Sequence, residues 1–64
     1  MIKAVANKNV ALFPTTESGE VIKINDNTAL VQGTGEVPFV ILKDGKAKTV
    51  TIDFAEKPVQ EVVI

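Results

Sequence analysis

At 64 residues the chain has room for one small domain, which buries only about 60% of the surface its unfolded form exposes. Cysteine and histidine are both absent, so disulfides and the usual zinc sites are excluded as staples, leaving tight packing and oligomerisation. The net charge is −1, from seven lysines, no arginine and eight carboxylates, and the basic excess of a nucleic-acid binder is missing.

The elements are taken from the N-terminus. Ile2 to Ala6 and Val10 to Phe13 are two short apolar runs around Asn7-Lys8-Asn9, where asparagine favours a tight turn. They read as a small hairpin of open register or as one kinked edge strand. A short helix is the alternative. No apolar core follows a basic segment here, and no stretch of about 18 apolar residues occurs anywhere. The reading is a complete small frame made in the cytoplasm, without a signal peptide and without a membrane partner.

Pro14 ends the second run, because it lacks a backbone donor for a central strand. Thr15 to Glu20 is a polar loop or a hairpin tip around Ser18-Gly19. Val21 to Ile24 is strand-like by its β-branched content. Asn25-Asp26-Asn27 turns the chain into Thr28 to Gln32, with Ile22 expected opposite Val31 and Ile24 opposite Ala29. Gly33-Thr34-Gly35 then breaks the pattern.

Val37 to Phe54 is the most legible stretch. Asp44-Gly45 between two apolar runs is the strongest short hairpin signal, since a type I′ turn needs positive φ at both central residues. A two-residue loop sets Lys43 opposite Lys46, Ile41 opposite Lys48, Phe39 opposite Val50 and Val37 opposite Ile52. That register gathers Val37, Phe39, Ile41, Val50, Ile52 and Phe54 on one apolar face, whereas a three-residue loop would set Phe39 or Ile41 against threonines, so a two-residue loop or a four-residue loop of the same parity is preferred. Phe39 and Ile52 are expected in the core. The opposite face carries Val40, Leu42, Ala47, Thr49, Thr51 and Asp53, half of it apolar. After a loop at Ala55 to Pro58, Val59 to Ile64 forms a last strand, which ends on apolar residues as a docked terminus does.

About seven short strands separated by turn signals predict an all-β fold. It is a small barrel or a two-sheet sandwich of antiparallel strands, spanning 1–64 as a single domain.

No chemistry is visible. Ser18 is the only serine, and without histidine its sole potential bases are lysines and carboxylates, so a turn role is the better reading. Glu17 and Glu20 flank that turn as solvated carboxylates. Asn25-Asp26-Asn27 lacks the alternating ligands and distant glutamate of a calcium loop. Gly33-Thr34-Gly35 is followed by Glu36-Val37-Pro38 instead of the helix that a phosphate loop requires. Lys43, Lys46 and Lys48 form the one basic cluster, which fits a guard against edge pairing or a contact for an acidic partner.

These features predict no enzyme, no cofactor, no metal and no small-molecule substrate. They predict a structural or interaction protein working in an assembly, as a homo-oligomer or with a protein partner. Val40, Leu42, Lys43, Lys46, Lys48, Val62, Val63 and Ile64 are the expected interface. In composition the chain is similar to small accessory proteins of virus particles, the capsid decoration proteins, which implies a place in a virion. An inhibitor that blocks an enzyme is one rival. An OB- or SH3-like barrel binding nucleic acid or peptide is another, but it requires surface aromatics that the three phenylalanines do not supply.

Overall fold

A computed structural model describes residues 3–64; Ile2, counted above in the first apolar run, lies outside them. Seven strands follow in chain order: β1 (Val5–Ala6), β2 (Val10–Pro14), β3 (Gly19–Ile24), β4 (Thr28–Gly33), β5 (Glu36–Lys43), β6 (Lys46–Asp53) and β7 (Val59–Val63). They form a four-stranded sheet in the order β1-β2-β5-β6 and a three-stranded sheet in the order β3-β4-β7, with every pairing antiparallel. The fold is therefore all-β, and of the two expected architectures it is the two-sheet one. Seven short strands in a body of 31 × 19 × 18 Å leave one thin core between the sheets.

The β5–β6 hairpin has the register that its turn and its apolar alternation require. Lys43 faces Lys46, Ile41 faces Lys48, Phe39 faces Val50 and Val37 faces Ile52. Asp44 and Gly45 have φ of 53° and 74°, the left-handed pair of a type I′ turn. Asp44 is the sole non-glycine residue with positive φ among those described. Val37, Phe39, Ile41 and Phe54 are buried, and Phe39 and Phe54 meet edge to face with ring centroids 6.1 Å apart. Ile52 is only partly buried and packs on the margin of this core with Val50, because β6 is the last strand of its sheet.

The first two runs close as a hairpin, with Val5 opposite Leu12 and Ala6 opposite Ala11. Its turn relies on a side chain where the other uses glycine. The Asn7 carboxamide oxygen accepts from the N–H groups of Asn9 and Val10, both at 3.0 Å. Strand β2 then pairs along β5, setting Leu12 against Ile41 and Pro14 against Phe39.

Pro14 ends β2, as its missing donor dictates, yet it is fully buried. The Thr15 N–H donates to the Pro38 carbonyl at 2.9 Å, so odd positions of β2 bond to β5 and even ones face β1. The ring nitrogen of Pro14 thus points to a side that β1, beginning at Val5, does not reach. Thr15 to Ser18 carries the chain from one sheet to the other, so of the two expected forms the polar loop holds and the hairpin tip does not, and the loop ends at Ser18, with β3 beginning at Gly19.

The β3–β4 pairing corrects one expectation. Ile24 faces Ala29, but Val21, not Ile22, faces Val31, and the register shifts between Val21 and Lys23. Ile22 is the extra residue of a β-bulge and is 44% exposed, while Val21 is buried. On β4 the alternate residues Ala29 and Val31 are both completely buried. Only a bulge lets Val21 and Ile24, three residues apart, both meet that alternation.

Strand β7 pairs with β4, placing Val62 opposite Ala29 and Val63 opposite Thr28. Gly33-Thr34-Gly35 is a connector, with the Thr34 N–H donating to Ser18 O and the Phe54 N–H to Gly35 O. It also marks a close approach. A Cβ on Gly33 would lie 2.9 Å from the Phe54 ring and 2.8 Å from the Ser18 carbonyl oxygen.

Candidate functional site

The outer face of the four-stranded sheet follows from the registers. Directly opposed residues share a face, so Ala6, Ala11, Leu42 and Ala47 form one row across all four strands. Phe13, Val40 and Thr49 form the next row across β2, β5 and β6. Leu42 is 42% exposed, and Phe13 and Val40 are half-buried. None of the three belongs to the core or packs against it. These two rows are an apolar face turned away from the three-stranded sheet.

Of the expected interface residues, Val40 and Leu42 are brought together on this face. Phe13 joins them, and sequence reasoning missed it. Its alternation with Leu12 in Val10-Ala11-Leu12-Phe13 was a visible signal, but only the β2–β5 pairing puts it beside Val40.

Lys43, Lys46 and Lys48 are placed elsewhere, on the inner side of the β5–β6 hairpin. The hairpin overhangs the core there. Its three lysines line an open groove of about 510 Å³ together with Ile41, Val63 and Ile64. The lysines and the C-terminal residues are thus neighbours, although 16 to 21 positions separate Lys48 and Lys43 from Ile64 in the sequence. Val62 and Ile64 pack on the core margin, and Val63 is 77% exposed. The Ile64 N–H donates to Asn27 O at 2.8 Å. The C-terminal strand is therefore paired with β4 inside its own sheet, as the last strand of that sheet.

The polar candidates have local structural partners. Thr16 and Ser18 share a hydrogen bond between their hydroxyls at 2.7 Å. Glu20 accepts from the Gln32 side-chain amide. Gln60 donates to the carbonyls of Asp53 at 2.6 Å and Lys57 at 3.1 Å, closing the β6–β7 loop. Among the described residues, no three histidine, cysteine, aspartate or glutamate side chains gather where a metal ion would need them.

The comparisons with known proteins find no family whose model matches the chain, no similar curated protein and no similar solved structure.

Proposed function

We propose that this chain is a non-enzymatic structural or interaction protein that acts in an assembly, docking on a protein partner through the outer face of its four-stranded sheet. The observation that carries the reading is the apolar face of Phe13, Val40 and Leu42, flanked by Ala6, Ala11 and Ala47 and separate from the core. A small domain without staples has little apolar surface to spare, and a patch left outside the core marks an interaction site. The setting we propose is that of a small virion accessory protein of the capsid-decoration kind, on the strength of the compositional likeness alone.

Val40→Asp tests it. An aspartate at a half-buried outer position leaves the core untouched, so the melting temperature should fall by no more than a few degrees, while co-purification with the partner particle is lost. Co-purification that survives the substitution would remove the outer face from the proposal.

A further inference from the structure

The inner face of the β5–β6 hairpin changes character toward its tip. Val37 opposite Ile52 and Phe39 opposite Val50 serve the core, and Ile41 opposite Lys48 and Lys43 opposite Lys46 follow on the same face. Three lysines therefore stand on the side that elsewhere meets the core. Opposed like charges destabilise a strand pair. Among the described residues, no hydrogen bond or ion pair holds any of the three ammonium groups. Ile41, Val50, Val63 and Ile64 supply the apolar lining of the groove beside them, and Asp44 is the one acidic side chain there among the described residues.

The groove lies in a splayed cleft between two strand edges. Strands β6 and β7 are each the last of their sheet, and at their shared loop the Gln60 amide donates to Asp53 O and ties them together. At the other end Val63 and Ile64 line the same groove as Lys46 and Lys48. The Phe54 N–H bonds to Gly35 O, so even positions of β6 turn their backbone groups to β5 and odd positions turn theirs outward. Ala47, Thr49 and Thr51 thus offer backbone donors and acceptors with which no strand pairs among the described residues. An edge alone would take any strand. The side chains beside this one narrow the choice.

We propose that this cleft binds an extended acidic segment of a protein partner, added antiparallel to β6 and carrying carboxylates at two alternate positions. Side chains two residues apart on a strand share a face and stand about 6.8 Å apart. Lys46 and Lys48 therefore match two carboxylates at that same spacing. In antiparallel order the segment presents an apolar residue, a carboxylate and a second carboxylate, at every other position, opposite Val50, Lys48 and Lys46 in turn. Its apolar side chain adjoins Val50 and the apolar lining, and its backbone takes the free groups of Ala47, Thr49 and Thr51. The carboxylate beside Lys46 also offsets the opposition of Lys43 and Lys46. Gln60 already occupies Asp53 O, which sets the end of the segment at Thr51. A second copy does not fit. The carboxylate side chains of this chain stand at least three residues apart, so no segment of it carries two at alternate positions. The cleft lies on the inner side of the hairpin and stands or falls independently of the outer face.

Fluorescence anisotropy with a labelled peptide tests the site, together with amide exchange read by NMR. The peptide alternates threonine with one valine and then two glutamates. It should bind the full chain, protect the amides of Ala47, Thr49 and Thr51, and lose affinity as salt rises. An isomer with its two glutamates adjacent turns one carboxylate to the outer face and should bind about twofold to threefold more weakly. Lys46→Gln combined with Lys48→Gln changes only exposed side chains. It should leave the melting temperature level or raised and weaken binding about fivefold. Thr49→Pro removes an outward donor without touching the β5 ladder and should abolish binding. Val40→Asp should bind the peptide as the parent chain does, so the cleft and the outer face fail separately. No binding at millimolar peptide overturns the site. So does equal affinity for the two isomers, or binding that leaves the three amides exchanging freely. Oligothymidylate bound as tightly, with the same dependence on Lys46 and Lys48, overturns it in favour of a general anion contact.

Discussion

The β5–β6 and β3–β4 hairpins stand side by side in the chain, and both are rich in valine, isoleucine and threonine. One pairs without interruption from Glu36 opposite Asp53 to Lys43 opposite Lys46, and the other breaks register at Ile22. The difference lies in who decides the register. In β5–β6 the Asp44-Gly45 turn and the apolar alternation on both strands agree, so local chemistry suffices. In β3–β4 the strand spacing of Val21 and Ile24 conflicts with the pleat, and the buried residues of β4 settle the matter. A hairpin whose levels agree is regular, and one whose levels conflict acquires a bulge where solvent can take the extra side chain.

The comparison is broken most severely at its shared core. Phe39→Ala removes a fully buried ring that contacts Phe54, and should cost about 3–5 kcal/mol, most or all of the stability of a chain this short. Thermal or urea melts would show it, and a loss of only a few tenths would contradict the packing of β5. Gly33→Ala comes next, at about 1–3 kcal/mol, because one of its two clashes is with the Ser18 backbone, which has no rotamer to change. Gly45 has positive φ but open space around it, so its replacement by alanine should cost less, about 1 kcal/mol of conformational strain. A reversed order in denaturant titrations would mean that the Gly33–Phe54 approach is looser than described. The smallest effect sharpens the bulge itself. Ile22→Thr should change stability by no more than about 0.5 kcal/mol, since the side chain is largely in water. Val21→Thr, the same change one residue earlier, buries a hydroxyl in an apolar core and should cost about 1–3 kcal/mol. Equal losses at the two positions would return Ile22 to the core and remove the bulge.

The candidate surfaces divide in the same way. Val40 and Leu42 were legible, because the hairpin register alone puts them opposite the core face. Lys43, Lys46 and Lys48 were legible as a cluster for the same reason. Phe13 was not, because its place beside Val40 depends on β2 meeting β5 across 22 intervening residues, Pro14 through Gly35, and then the first four residues of β5 itself. Nor was the nearness of the lysines to Ile64, which requires the two sheets to stack.

By itself the sequence determined the all-β class, the type I′ turn, the register of β5 and β6 from Val37 opposite Ile52 to Lys43 opposite Lys46, and the lysine cluster at the tip of that hairpin. All of these rest on neighbours in the chain: a turn that demands positive φ, and side chains whose alternation has one register that keeps them dry. Only the tertiary structure decided that Val21 enters the core in place of Ile22, that Pro14 can be buried at the end of an inner strand, and that the C-terminal strand closes on β4. Those outcomes depend on which distant surfaces are already occupied, and local alternation carries no record of them.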